Sequence, residues 1–238
     1  MIGITPILSS LSSSSVPKLE NFNEKRWTIM AYSSADSADE WGGILDCFAS
    51  EVFSSDNIDV VLLEDTKNEP AKIWYVENNH SIRLLEDLGE ISMGNYTTLR
   101  DFVNYCKDNF TSDRYILFFC GHGAGWRGAC RDHGAGYRDD LTMDEMQKAL
   151  MVAGSVDIVC FSGPCNMGSL ESVYELRDCT DVYIASEAFS SYNIWRGTFN
   201  GLCILLNESS DISNAEVGKF IIQSIKEKTP INEYLSAF

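Results

Sequence analysis

A chain of 238 residues that is 45% hydrophobic and holds five prolines can bury one sizeable core without covalent staples. Its formal charge of −17, from 18 basic against 35 acidic residues, argues against a nucleic-acid surface and favours cationic substrates at low salt. Without an apolar run near the ~20 residues of a membrane-spanning helix, and with eight cysteines scattered through apolar segments, the chain reads as a globular protein with mostly buried thiols.

Residues 1–25 contain a serine run from Ser9 to Ser15, broken by Leu11, and lack a basic n-region, so they read as a disordered tail or a trimmed export segment. Residues 26–238 read as one domain; the ending Tyr234–Phe238 resembles the start of another element and leaves room for a longer natural chain. Within the domain, short apolar runs alternate with amphipathic segments, the pattern of βαβ units and a mainly parallel sheet. Strands are predicted at Trp27–Ser33, Ile58–Leu63, Ile73–Val76, Tyr115–Cys120, Val156–Phe161 and Val182–Ala185.

Thr98–Phe110 places Leu99, Phe102, Val103, Cys106 and Phe110 at helical spacing. Thr142–Glu145 and Ser213–Glu216 match the capping box and should start helices. Leu170, Val173 and Tyr174 predict an apolar helix stripe between Met167 and Asp178. Between Gly121 and Asp140, six glycines and the charged residues Arg127, Arg131, Asp132 and Arg138 predict a long exposed loop. His80, in Asn78–Ser81, reads as a surface residue.

Two of the predicted strands end on chemistry. The run Tyr115–Cys120 opens into Gly121-His122-Gly123, and Val156–Phe161 opens into Ser162-Gly163-Pro164-Cys165. If these strands are parallel neighbours, a base and a thiol meet beyond one sheet edge, where ligands bind in parallel sheets. A thiol near pKa ~8.5 needs such a base, or a helix N-terminus, to react as thiolate. Glycines leave room for a substrate backbone, and the N–H groups of Gly123 and Cys165 are candidates for an oxyanion hole. Two other readings stay open: His122 as a turn residue beside a buried Cys165, or half a zinc site in Cys130-Arg-Asp-His133 completed by Cys120 and His122.

The surrounding words resemble the clostripain-like cysteine peptidases, of the caspase, legumain and gingipain clan. They run from Trp27–Tyr32 through Leu88–Gly94, Thr98–Val103, the His122 turn, Asp140–Met143, Met167–Glu171 and Tyr174–Arg177 to Ala185–Glu187. The resemblance implies a caspase-like three-layer α/β/α sandwich with a mainly parallel sheet. It makes His122 the general base or acid and Cys165 the nucleophile of an endopeptidase acting through a thioester acyl-enzyme. It implies peptide or protein substrates, a monomer and a secreted or cell-surface setting, although no clear signal peptide is visible. The chemistry needs no cofactor; calcium is admitted as a structural or activating ion, with Asp132, Asp139, Asp140, Asp144 and Glu145 as candidate ligands whose spacing fits no EF-hand loop.

The sequence departs from its relatives where they carry Asp-Ala-Cys, the Asp helping to form an acidic pocket for Arg or Lys. Here Gly163-Pro164-Cys165 stands instead, and Asn193 stands where relatives often have a second acid. Losing a carboxylate from a closed pocket costs a basic side chain ~1.5–3 kcal/mol, roughly tenfold to hundredfold in preference, so P1 specificity is expected to shift away from Arg/Lys. Ser162, Gly163, Ser186, Glu187 and Asn193 are the candidate pocket residues, with Glu187 or Asp181 as substitute acids. Arg127, Arg131 and Arg138 mark a candidate processing loop. The alternative from another functional class is an inactive caspase-like module that binds peptides without cleaving them.

Overall fold

The centre of the molecule is β1 (Lys25–Ala35), a run whose alternate side chains are apolar on both faces and which therefore needs cover on both sides. In the computed structural model, which describes residues 25–36, 43–134, 138–209 and 211–228, that cover is a layer of helices on each face of the sheet. β1 pairs in parallel with β2 (Ile58–Thr66) on one side and β5 (Ser112–Cys120) on the other. β5 pairs in parallel with β8 (Ile158–Phe161), and β8 with β9 (Val182–Ile184). Beyond β2 the sheet turns antiparallel through β3 (Glu69–Val76) and β4 (Ile82–Gly89), giving seven strands in the order β4-β3-β2-β1-β5-β8-β9.

The period of two in β1 sorts the core. Met30 and Tyr32 join Leu117, Phe119, Val159 and Phe161 against α2 (Tyr96–Asn109) and α3 (Met143–Ala153), through Leu99, Phe102, Val103, Met146 and Leu150. Trp27, Ile29 and Ala31 join Ile116, Phe118, Ile158 and Cys160 on the opposite face. There they meet α1 (Leu45–Glu51), α5 (Thr198–Glu208) and α6 (Asn214–Lys228), through Phe48, Phe199, Leu202, Val217 and Ile221. The result is the expected three-layer α/β/α sandwich.

Several local expectations hold for physical reasons. Thr142 accepts from the Glu145 N–H while the Glu145 carboxylate accepts from the Thr142 N–H, so α3 opens on a complete capping box. Its far end closes on Gly154 in the left-handed region, and Lys107 Nζ reaches across from α2 to donate to the carbonyls of Ala153, Gly154 and Ser155. Ser213 and Glu216 form the same reciprocal pair before α6.

Others are corrected. The helix after Cys165 is short, α4 (Leu170–Glu175), and its expected apolar stripe faces outward: Leu170 is 80% exposed and Tyr174 60%, while Ser172 is buried. β4 was not expected, because its charged Arg83, Glu86 and Asp87 suit an edge strand, a place that alternation alone does not reveal. The glycine-rich stretch is not one long exposed loop. It folds into a 3-10 turn (Gly125–Arg127) and a small hairpin of β6 (Ala129–Asp132) with β7 (Asp139–Leu141), and Gly125, Gly128, Ala129, Cys130 and Asp132 are buried. Glycine makes this possible at Gly128, with φ +121°, where a Cβ would run into the Leu141 carbonyl. His80 is exposed, as read, and its Nδ1 also donates to the carbonyls of Ala49 and Val52 at the end of α1. The serine-rich tail lies outside the described residues.

Candidate active site

β5 and β8 are parallel neighbours in the register Phe119↔Phe161, so both chemistry-bearing turns leave the same sheet edge. The two exits are stitched together at once: the Ser162 N–H donates to the Phe119 carbonyl at 2.9 Å, and Ser162 Oγ lies 3.2 Å from that carbonyl and 3.0 Å from Cys120 Sγ. Gly121, at φ +133°, passes so close to β1 that a Cβ would lie 2.6 Å from the Ser34 carbonyl oxygen. Only glycine takes that path without strain.

The His122 turn then folds back on β6. The His122 carbonyl accepts from the Cys130 N–H at 2.9 Å, and Gly123 bridges Ala129. Gly123 is also where the turns touch: a Cβ there would lie 2.5 Å from the Cys165 carbonyl oxygen and 2.7 Å from its nitrogen. Gly163 backs onto Gly121 at 3.3 Å in the same way. The backbones of the two turns are thus brought against each other, and against β1, through Gly121, Gly123 and Gly163.

Cys165 is half-buried and sits in a bend closed by the segment after β9. Asn166 N–H donates to the Ala188 carbonyl and Gly168 N–H to the Ser186 carbonyl. Ser190 N–H donates to Cys165 Sγ at 3.3 Å, and the thiol donates to the Ser190 carbonyl at 3.5 Å. The backbone N–H serving the sulfur thus comes from Ser190 rather than from a helix N-terminus, because α4 begins only at Leu170. Ser190 was missed in the sequence, where nothing ties it to a cysteine 25 positions away.

Of the eight cysteines, all free, only Cys47 and Cys165 are not fully buried. Burial pushes the thiols of Cys106, Cys130 and Cys160 well up, and those of Cys120 and Cys203 up to about 12, which keeps them protonated and inert. Desolvation first, then the neighbouring Arg131 and His133, lowers His122 below the ordinary histidine value against the opposing pull of Asp140. A lowered imidazole is neutral at physiological pH and able to accept a proton.

Among the pocket candidates, Ser162 is buried beneath the turn, whereas Ser186, Glu187 and Asn193 lie along the segment beside Cys165, Glu187 and Asn193 exposed. Asp181 is not a substitute acid for that pocket. It precedes β9, at the opposite sheet edge, and accepts from Asn214 at 2.9 Å. Arg131 and Arg138 share the Asp140 carboxylate at 2.7 Å each, and Arg127 lies over the Trp126 ring. The imagined zinc set is not assembled: among the described residues the metal-competent grouping consists of Asp65, Glu90 and Asp132. Of the acids proposed for calcium only Asp132 belongs to it, because Asp140 is held by arginines, Glu145 by the capping box and Asp139 by Ser92.

The model of the clostripain family matches residues 48–234. The chain is 32% identical over 148 residues to clostripain from Hathewaya histolytica, covering 52% of this chain and 27% of that protein. The secreted C11 cysteine protease from Bacteroides thetaiotaomicron, solved with an irreversible peptide inhibitor, superposes with a TM-score of 0.65 at 18% identity, over 86% of this chain and 57% of its own. An inactive zymogen C11 protease from Parabacteroides distasonis gives 0.54 at 20% identity, over 74% and 54%. The chain thus spans about a quarter of the curated relative and little more than half of the solved ones. With the matched region running through the His122 and Cys165 turns, the chain belongs to the clostripain family.

Proposed function

We propose that this chain carries the catalytic centre of a cysteine endopeptidase. The observation that carries the reading is the contact of the His122 and Cys165 turns through Gly123 at the carboxyl edge of β5 and β8. Cys165 loses its proton to His122, and its sulfur attacks the scissile carbonyl carbon. The oxyanion is held by the N–H groups of Gly123 and Cys165, and His122 returns the proton to the departing amine, leaving a thioester. Water, deprotonated by His122, then releases the acid and restores the thiol. The half-buried Cys165 beside Ser190 and the lowered His122 support this division of roles.

Substrates are peptides or unfolded protein segments laid across the two turns. With Gly163 where relatives place an acid, and Glu187 exposed, the P1 subsite lacks an enclosed carboxylate at that position, and the preference moves away from Arg and Lys. A fluorogenic peptide library varied at P1 tests both statements. The parent should cleave members with non-basic P1 residues. Cys165→Ala should abolish cleavage, and His122→Ala should lower kcat/KM by at least about 10³-fold. Peptide binding with no cleavage by the parent would leave the binding-module reading in its place, and strict Arg preference would overturn the subsite argument.

A further inference from the structure

Where β2 ends, a recess of about 430 Å³ opens between α1 and the start of β3. Leu45, Cys47, Pro70 and Trp74 give it an apolar wall. Asp46, Glu64 and Glu69 line it too, and Lys72, the one base among the lining residues, is already held by Glu69 at 2.9 Å. The recess is therefore acidic, with a hydrocarbon and indole side.

Surface acids need no ligand, but Glu64 is only 7% exposed. Its Oε1 collects every hydrogen bond the side chain makes among the described residues, accepting from the N–H groups of Ile44 and Leu45 and from Ser33 Oγ. Oε2 takes none of them. A Cβ at Gly43, another lining residue with φ +85°, would lie 2.9 Å from that oxygen, so glycine is what leaves it uncovered. A carboxylate oxygen drawn out of bulk water and left without a donor favours a positive partner. Desolvation raises the Glu64 carboxyl, and Asp46 adds to the rise, against the pull of Ile44, Leu45 and Ser33.

We propose that this recess binds an organic cation, an ammonium or guanidinium on an apolar stem, and that its occupant is a Lys or Arg side chain of a protein substrate held away from the scissile bond. Glu64 and Asp46 take the charge, while Leu45, Pro70 and the Trp74 indole cover the stem. The recess is not the P1 subsite, since neither Gly163 nor Asn193 lines it. Glu64 pairs in register with Ser33, and Ser33 with Cys120, two positions before His122. Two strand spacings of ~4.8 Å put Glu64 about 10 Å from the strand that carries His122, the length of about three residues of extended peptide. That the cation belongs to a substrate rests on the peptidase reading; binding of the cation does not.

Both arms of the test measure binding to the full chain carrying Cys165→Ala. In the first, calorimetric titration with agmatine and with cadaverine should show one site, and 1-pentanol, of similar length and no charge, should show none. Glu64→Gln keeps an acceptor for Ile44 and Leu45 but removes the charge, and should weaken amine binding about tenfold or more. Thr66→Lys sets an ammonium of the protein's own among the lining acids and should weaken it as far with Glu64 intact, which covers a misfolded Glu64→Gln. In the second arm, a single Lys is moved along a peptide that otherwise carries norleucine at the varied positions. Lys about three residues from the P1 position should tighten binding about tenfold, and Glu64→Gln should erase that gain. No amine binding, or amine binding unchanged in both variants, would overturn the site. Amine binding with peptides indifferent to where the Lys stands would overturn the substrate side chain as occupant and leave a free amine in its place. Absence of cleavage by the parent would count against the dyad alone, since neither arm reads cleavage.

Discussion

Gly123 decides more than its size suggests. Its Cα faces the backbone of Cys165 so closely that a methyl group would have to push that residue aside, and backbone, unlike a side-chain tip, does not yield cheaply. Misplacing a reacting group by about 1 Å can cost a factor near 100 in rate. Gly123→Ala is therefore expected to lower kcat/KM about 100-fold on the best library peptide while the protein stays folded by circular dichroism; parental kinetics would show that the turns do not depend on this contact. At this scale the sequence was readable in the strand ends, since the turns of His122 and Cys165 do leave one sheet edge. It was silent at Ser190, whose contact with Cys165 comes from a neighbour that only folding supplies.

Helices and strands were legible in proportion to how local their causes are. A capping box needs four consecutive residues, and Thr142–Glu145 stands as read; replacing Thr142 with Ala should cost about 1 kcal/mol, seen as a lower urea midpoint with an unchanged m-value. An unchanged midpoint would mean that Lys107 at the other end and packing against α2 carry α3 alone. β4 escaped because Arg83, Glu86 and Asp87 break up its apolar residues, whereas β9, at the other edge, keeps a short apolar run. α4 was misread because Leu170, Val173 and Tyr174 have helical spacing, but the turn from Cys165 to Gly168 hands the chain to α4 with that stripe turned outward. Spacing shows that a face exists and not which way it points.

At the scale of the molecule, the alternation of β1 already implied two apolar layers, and the parallel order followed from amphipathic segments between the strands. The same sandwich hides six of the eight thiols. Brief alkylation of the native protein should modify Cys165 first and Cys47 more slowly, with Cys106, Cys120, Cys130, Cys160, Cys179 and Cys203 reacting only in denaturant. Peptide mapping by mass spectrometry reads the order, and rapid native modification of any of those six would contradict the packing described.

The strand order also fixes a sequence of events in time. β1 lies at the middle of the sheet but is made first, and its second neighbour, β5, joins it in the register Lys25↔Ser112 only after most of another hundred residues have left the ribosome. β8 comes later still, since it docks on β5 and not on β1. A growing chain therefore presents the His122 turn before Cys165 has been synthesised. The edge on which the proposed dyad sits is completed only when β8 docks on β5, so a nascent chain that stops short of Cys165 lacks the proposed nucleophile.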